Sequence, residues 1–253
     1  MITQSLWITC PKPNPRASLR LFCFPYAGGG ASIFRLWSEQ LPTEIEVCSI
    51  QFPGRESRLK EPLFTQLLLL AETIAPVLRP YLNIPFAFFG HSMGALVAFE
   101  VARQLRRLGD SEPVHLFVSS RPAPQIPIFN PIHQLPDSDF IAELRDRYNA
   151  IPDILLQNPE MMELFLPILR ADITILETYS YKIEPLLNYP ISAFGGLQDN
   201  CVSQNDISAW RDQTCQPFTL QMFNGGHFFL KEKQYPLLQT IGQELIEYID
   251  LCL

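Results

Sequence analysis

Short apolar runs alternate along the chain with longer segments whose apolar positions recur every three or four residues. The runs have the composition of buried strands and lie at residues 19–24, 45–50, 85–89, 113–119, 189–194 and 216–223. The clearest segments of helical period lie at residues 63–79, 96–108, 203–214 and 234–251, with a shorter one at 31–40. Strands that alternate with helices predict an α/β domain with a mostly parallel central sheet flanked by helices.

The alternation of strands and helices stops between about residues 122 and 185. Helical periodicity is clear at residues 139–148 and 160–176, and prolines at positions 127, 131, 136, 152 and 159 divide the segment. We therefore predict a helical lid inserted into a single domain that spans residues 1–253. The apolar stripe at residues 161–169 has two interpretations, ordinary core or the lining of an acyl pocket.

Composition restricts the class of protein. The chain has 253 residues, of which 47% are hydrophobic and 18% charged, and a net charge of −7. A chain of this size can bury one large core, and the acidic balance argues against a nucleic-acid partner. The closing helix has no heptad seam, so we expect a monomer.

The cysteines and the chain start favour a cytoplasmic protein without a membrane span. Cysteines occupy positions 10, 23, 48, 201, 215 and 252 without C-x-x-C spacing, which is typical of reduced thiols. The first residues lack the charged and apolar regions of a signal peptide. Residues 80–99 carry no Asp, Glu, Lys or Arg, but prolines, an asparagine and a glycine interrupt them, so we interpret them as a core strand and turn.

The run at residues 85–89 leads into Gly90-His91-Ser92-Met93-Gly94, a G-x-S-x-G pattern followed by a helix. In this arrangement the serine lies on a sharp strand-to-helix turn, and the flanking glycines avoid collisions with nearby backbone. Ser92 is therefore the predicted nucleophile. The alternative is an ordinary glycine-rich turn, but the strand before it and the helix after it favour the catalytic interpretation.

A serine nucleophile needs a base and a carboxylate that orients the base. Asp199 and His227 each follow a predicted strand, in the chain order Ser, Asp, His of the α/β-hydrolase fold. His227 follows two glycines, whereas the other histidines lie in a strand, in the lid or beside the nucleophile, at positions 115, 133 and 91. Asp206 and Asp212 compete with Asp199 for the acid, although Asp206 falls in a first helical turn, where it complements the helix dipole.

Three glycines at residues 28–30 follow the first strand and allow a close approach of backbone. The pattern matches neither the G-x-G-x-x-G fingerprint nor a P-loop, so we interpret it as an oxyanion loop. The predicted oxyanion donors are the backbone N–H groups of Ala27 and Met93. No group of histidines, cysteines and acids has the spacing of metal ligands, and we predict no metal and no cofactor of the protein's own.

Several motifs together resemble those of the type II thioesterases, the free-standing editing enzymes of nonribosomal peptide and polyketide synthesis. The similarity covers about residues 19–245, and its motifs are residues 21–30 (LFCFPYAGGG), 52–58 (FPGRESR), 89–94 (FGHSMG), 169–172 (LRAD), 177–179 (ETY) and 225–229 (GGHFF). The resemblance implies an α/β-hydrolase fold with Ser92 as nucleophile, His227 as base and Asp199 as acid. It also implies an acyl thioester substrate carried on the phosphopantetheine arm of a partner carrier protein.

Some points stay open at this level. Family members often have proline after the acid, where this chain has Asn200-Cys201. Because carrier proteins of this kind are acidic, we expect a local basic contact patch, with Arg55, Arg58, Lys60 and Arg121 as candidates. The same triad would also serve an acyltransferase or a carboxyl-ester hydrolase, and a remote alternative is a non-catalytic carrier-binding module.

Overall fold

A seven-stranded sheet forms the centre of the computed structural model, which describes residues 5–148 and 157–252. The strand order is β1-β3-β2-β4-β5-β6-β7, and all neighbours are parallel except β1, which is antiparallel to β3. The strands are β1 (Ile8–Thr9), β2 (Leu19–Phe24), β3 (Ile45–Ile50), β4 (Phe86–His91), β5 (His115–Ser119), β6 (Ile191–Gly196) and β7 (Phe218–Phe223). This architecture is the predicted α/β class.

Helices cover both faces of the sheet. The α-helices are α1 (Leu67–Leu78), α2 (Met93–Arg107), α3 (Asp137–Tyr148), α4 (Pro159–Glu177), α5 (Gln204–Ser208), α6 (Phe229–Glu232) and α7 (Gln234–Cys252). Short 3₁₀ helices lie at Ala31–Phe34, Trp37–Glu39, Glu56–Arg58, Arg79–Tyr81 and Ala209–Gln213. None of the helices in the described ranges is long and apolar enough to cross a membrane.

Two apolar layers enclose the sheet because alternate residues of each strand face opposite sides. Phe22, Phe24 and Phe88 belong to the layer that contains α1 and α2, whereas Leu21 and Phe89 belong to the layer that contains α7. Every residue of β2, β3 and β4 is buried, as expected for parallel strands covered on both faces.

The sequence predictions differ from the structure mainly where elements are short. Strand β1 was not predicted, because it has only two residues and lies in a proline-marked segment. Residues 31–40 form two 3₁₀ helices instead of one α-helix, and they are held by packing of Phe34 and Trp37 against Phe89. The predicted helix at residues 203–214 is α5, capped by Ser203, followed by a 3₁₀ helix.

The segment between β5 and β6 contains α3 and α4, whose bounds lie within two residues of those predicted. Asn158 caps α4 by accepting a hydrogen bond from Met161 N (3.1 Å), and Pro159 occupies the first turn. The predicted lid also includes residues 149–156, which lie outside the described residues. The buried faces of both helices pack onto the layer that contains α2.

The strand order creates a crevice at one edge of the sheet. The chain adds β3 on one side of β2 and β4 on its other side, so the loops that follow β2 and β4 diverge there. Such a switch point, at the carboxyl ends of parallel strands, is the usual place for a ligand site. The glycine-rich loop after β2 and the serine turn after β4 therefore meet at this crevice.

Candidate active site

Ser92 occupies a strained turn between β4 and α2. Its backbone has φ 53° and ψ −115°, a conformation that residues with side chains rarely adopt. The Ser92 N–H donates to the carbonyl of Ser119 on β5 (2.7 Å), which ties the turn to the sheet. A Cβ atom on Gly94 would lie 2.0 Å from the Phe24 carbonyl oxygen, and one on Gly90 would lie 2.3 Å from that of Gly94. The turn therefore requires both glycines.

A continuous chain of hydrogen bonds links the serine, the histidine and the aspartate. His227 Nε2 lies 3.0 Å from Ser92 Oγ, and His227 Nδ1 lies 2.8 Å from Asp199 Oδ2. All three side chains follow the carboxyl ends of parallel strands, namely β4, β6 and β7. His227 and Asp199 are closely enclosed, with 4% and 0% of their side-chain surface exposed. This geometry allows the imidazole to take a proton from the serine hydroxyl while the carboxylate orients the ring.

The carboxylate of Asp199 is held from the side opposite His227. Its Oδ1 accepts hydrogen bonds from the backbone N–H groups of Cys201 (2.9 Å) and Val202 (3.2 Å). Proline has no N–H, so a proline at position 201 would remove the first of these donors. Asp206, the competing candidate, instead forms a capping box with Ser203, whereas the hydrogen-bond partners of His227 in the described residues are Asp199 and Ser92.

Aromatic rings surround the imidazole of His227. The rings of Tyr148, Phe228 and His91 lie 5.1, 5.1 and 5.5 Å from it, between centroids. Burial, together with the charge that His227 can carry, holds the pKa of His91 well below its usual range, and His91 Nδ1 lies 2.9 Å from Ser119 Oγ. His91 therefore stays neutral and does not repel a protonated His227.

Two backbone N–H groups beside Ser92 have no acceptor within the described part of the chain. They belong to Met93, the first residue of α2, and to Ala27, in the loop after β2. Neighbouring donors of the same loop are occupied: Gly29 N donates to Tyr26 O (2.9 Å), and Gly28 N donates to Asp172 Oδ2 (2.7 Å). Free N–H groups at a helix start and in an adjacent loop are what an oxyanion requires.

A cavity of about 400 Å³ opens beside Ser92 and His227. Its wall is formed by residues after β5, by the helices α3 and α4 and by the loop after Asp199, and it includes Ile126, Tyr148, Ile173, Leu176 and Val202. A second, smaller apolar hollow lies on the Ala27 side. Of the predicted acyl-lining stripe at residues 161–169, Leu169 lines this smaller hollow. The larger cavity is lined by residues of α4 that follow the stripe, including Ile173 and Leu176.

The remaining histidines have other surroundings. His115 Nε2 lies 2.8 Å from Ser192 Oγ, near the amino-terminal ends of β5 and β6 and away from Ser92. His133 Nδ1 lies 2.7 Å from Glu177 Oε2. Within residues 5–148 and 157–252, no group of three or more histidine, cysteine, aspartate or glutamate side chains has the arrangement of a metal site.

A match to a known domain family decides the identity of this fold and site. The thioesterase domain matches residues 19–245, most of the chain. The chain belongs to the thioesterase family. The match includes every element that contributes to the site, from the loop after β2 to the His227 loop.

Individual relatives match the chain over nearly its whole length. Gramicidin S biosynthesis protein GrsT of Aneurinibacillus migulanus is 50% identical over 240 residues, which cover 94% of this chain and 93% of that protein. Linear gramicidin dehydrogenase LgrE of Brevibacillus parabrevis is 44% identical over 254 residues, covering 98% and 95%. The structure of the type II thioesterase BorB from the borrelidin biosynthetic cluster has a TM-score of 0.83 at 37% identity, covering 95% and 96%. The predicted α/β-hydrolase fold and thioesterase assignment are confirmed.

The basic patch predicted on this thioesterase is wrong for three of its four members. Arg55 and Arg58 are each only 5% exposed, so neither is available to a partner protein. Arg58 pairs with Glu61 and stacks over the Trp7 ring (3.9 Å to the centroid). Arg55 is bound to Asp172. Sequence reasoning treats these side chains as exposed because a loop arginine usually is; their burial results from tertiary packing.

Arg121 lies in the wall of the cavity beside Ser92 and His227 and not on an outer patch. Its Nε is buried without a partner among residues 5–148 and 157–252, and burial lowers the pKa of its guanidinium. Lys60 is exposed, as predicted.

Proposed function

We propose that this thioesterase hydrolyses acyl groups from the phosphopantetheine arm of a carrier protein, and that it edits a nonribosomal peptide or polyketide synthase by releasing misprimed groups. The observation that carries the proposal is the unbroken hydrogen-bonded series Ser92, His227 and Asp199, beside two backbone N–H groups that have no acceptor among the residues the structure describes. The relative GrsT supports the biosynthetic setting, because its name refers to gramicidin S biosynthesis. The partner is then a carrier protein, and the enzyme needs no cofactor of its own.

The proposed reaction starts with attack by Ser92. His227 Nε2 takes the hydroxyl proton as Oγ bonds to the thioester carbonyl carbon, and Asp199 stabilises the imidazolium. The N–H groups of Ala27 and Met93 hold the oxyanion of the tetrahedral intermediate. The carbon–sulfur bond then breaks, and His227 returns the proton to the departing thiol.

Water completes the proposed cycle. His227 removes a proton from a water molecule that attacks the acyl-enzyme, and the same proton returns to Ser92 Oγ as the free acid leaves. The aromatic rings around His227 limit the approach of other water to the imidazole. The segment of α3 and α4 acts as a lid over the cavity, within a single domain of residues 1–253.

The residues support hydrolysis better than hydride transfer, the chemistry in the name of the relative LgrE. A dinucleotide loop binds pyrophosphate with free backbone N–H groups. In this chain Gly28 N already donates to the Asp172 carboxylate, whose negative charge would also repel a phosphate. The G-x-G-x-x-G fingerprint is absent from this loop.

We also propose a cytoplasmic, monomeric enzyme. All six cysteines are free, at positions 10, 23, 48, 201, 215 and 252, and Cys23 and Cys48 are fully buried. Free thiols are typical of a reducing compartment.

The test is release of free acid from a short-acyl phosphopantetheinyl carrier protein, compared with a simple ester and with acyl-CoA. We expect fast hydrolysis on the carrier and loss of turnover in Ser92→Ala, while the exposed Ser57→Ala serves as a matched control with normal turnover. If the simple ester is cleaved as fast as the acyl carrier protein or faster, the result would support only the fold and the triad, and the proposed carrier partner would be wrong. Product transfer to an added alcohol or amine would indicate an acyltransferase.

A further inference from the structure

A buried ion pair connects two motifs that have no part in the proposed triad. Arg55, which follows the turn after β3, donates to Asp172 on α4 through two nitrogens, at 2.6 and 2.9 Å. The two side chains are only 6% and 2% exposed. The residues are separated by 117 positions, so the pair joins α4 to the sheet side of the site.

The same carboxylate also holds the loop after β2. Asp172 Oδ2 accepts the Gly28 N–H at 2.7 Å, and Arg55 contacts the carbonyl oxygen of Gly29 at 3.4 Å. Gly28 has φ +76°, a left-handed conformation that glycine adopts without strain. The ion pair therefore contacts the loop at two points, the N–H of Gly28 and the carbonyl oxygen of Gly29.

Gly28 is the direct neighbour of Ala27, whose N–H has no acceptor in the described ranges. Because consecutive peptide planes share a Cα atom, fixing the amide of Gly28 restricts the direction of the Ala27 N–H. Catalytic hydrogen-bond donors act only when they are aimed at the developing charge before reaction.

We propose that Arg55 and Asp172 are positioning residues for the oxyanion loop. Asp172 holds Gly28 and so aims the Ala27 N–H at the oxyanion, and Arg55 orients the Asp172 carboxylate. The inference rests on the proposed function, since it requires Ala27 to serve as an oxyanion donor. It also couples α4 to catalysis, because a shift of this helix moves the carboxylate that holds the loop.

The chain offers a matched control pair. Arg20 and Glu46 form a second buried ion pair at 2.6 Å, with both side chains 8% exposed. Arg20 also donates to the Tyr81 carbonyl (2.7 Å) and to Asn83 Oδ1 (2.6 Å). This pair lies at the start of β2 and β3, the end of the sheet opposite the site, so its loss affects folding without touching the oxyanion loop.

The experiment compares Asp172→Asn, Arg55→Gln, the double variant and Arg20→Gln on one short-acyl carrier substrate, with thermal unfolding measured for each. We expect Asp172→Asn and Arg55→Gln each to lower kcat by about 30-fold, below the loss of roughly 100-fold or more for removal of a whole oxyanion donor. KM should change by less than about threefold because the pair does not bind substrate. The double variant should be no slower than the slower single variant, and Arg55→Lys should recover part of kcat.

Arg20→Gln should lose stability while keeping kcat within about twofold of wild type. If Asp172→Asn keeps wild-type kcat, or if kcat falls in proportion to stability in both pairs, the pair has only a structural role and the inference is wrong. Effects that multiply in the double variant would contradict it as well. Failure of the proposed function is a separate result: the wild-type enzyme would then not hydrolyse the carrier thioester.

Discussion

The backbone N–H of Cys201 donates a hydrogen bond to Oδ1 of Asp199, at 2.9 Å, on the side of the carboxylate that faces away from His227. Together with the Val202 N–H at 3.2 Å, it leaves Oδ2 free to contact the imidazole. These two backbone donors therefore support the proposed catalytic acid in its orientation toward His227.

Replacing Cys201 with proline is expected to weaken that support. One of two hydrogen bonds to Oδ1 is lost, and such a bond to a charged group contributes about 1.5 kcal/mol, so we expect kcat to fall by up to about tenfold. Cys201→Ala retains the N–H and should stay close to wild type. The measurement is steady-state hydrolysis of the acyl carrier; equal effects of the two substitutions would assign the loss to the thiol.

The serine turn should not tolerate a methyl group at its glycines. In Gly94→Ala the new Cβ would lie 2.0 Å from a backbone oxygen, so the strand and helix must move apart. We expect a loss of about 3 kcal/mol of stability and a melting temperature lower by roughly 8 °C, with little remaining activity.

Gly226, beside the proposed base, is the control for this steric argument. Its added Cβ would meet nothing closer than the Gln198 carbonyl oxygen at 3.6 Å, an ordinary contact. Thermal unfolding of Gly226→Ala should resemble that of wild type. A similar melting temperature for Gly94→Ala and Gly226→Ala would contradict the steric explanation.

Glu184 should make stability depend on pH in the acidic range. Burial tends to raise the pKa of its carboxyl, but hydrogen bonds from Arg107 and Arg103 outweigh this and lower the pKa to about 2. Because the folded state holds this carboxyl deprotonated more strongly than the unfolded state, its stabilisation is complete above the ordinary pKa of 4.5 and is lost as pH falls toward 2.

We therefore expect Glu184→Gln to lower the free energy of unfolding by about 2 kcal/mol at pH 6. The difference from wild type should shrink steadily between about pH 5 and pH 3. Urea unfolding at several pH values measures it, and Glu72→Gln, at an exposed position, is the control. A difference that stays constant over this range would show that the carboxylate is not the source of the stabilisation.

Tyr148 should act through its ring and not through its hydroxyl. The ring meets the His227 imidazole edge-on, at 5.1 Å and 66°, and forms part of the cavity wall. Tyr148→Phe keeps this contact and should retain kcat. Tyr148→Ala removes an aromatic contact of about 1 kcal/mol and opens the wall, so we expect about fivefold slower hydrolysis. A large loss in Tyr148→Phe would instead assign a role to the hydroxyl.

Much of the fold could be predicted because its determinants are local. Apolar runs such as Leu19–Phe24 reflect strands buried on both faces, and the apolar positions after Ser92 reflect a helix buried over most of its length. Both patterns are visible in consecutive residues. The short β1 and the 3₁₀ helices were missed because their stability comes from contacts with distant strands, which leave no periodic signal.

The candidate site also has residues that the sequence predicts and a pairing that only the folded structure shows. Ser92, Asp199 and His227 could be proposed because each is a polar side chain directly after a strand, and the fold brings such positions to one edge. Arg55 and Asp172 lay within recognisable motifs, but their pairing joins residues 117 positions apart and could not be read from either motif.

The sequence by itself determined the α/β class, the serine turn and the order of the candidate triad, because strand ends, glycine spacing and chain order are properties of the chain alone. Only the tertiary structure decided which charges are internal and which backbone donors stay free. Burial of Arg55, occupation of the Gly28 N–H and the open Ala27 N–H all depend on how α4 packs against the loop after β2. Such long-range packing decides whether a charge or a hydrogen-bond donor is buried and whether it has a partner, and these two conditions set the free energy of burying it. The residue type decides only which partners the side chain is able to bind.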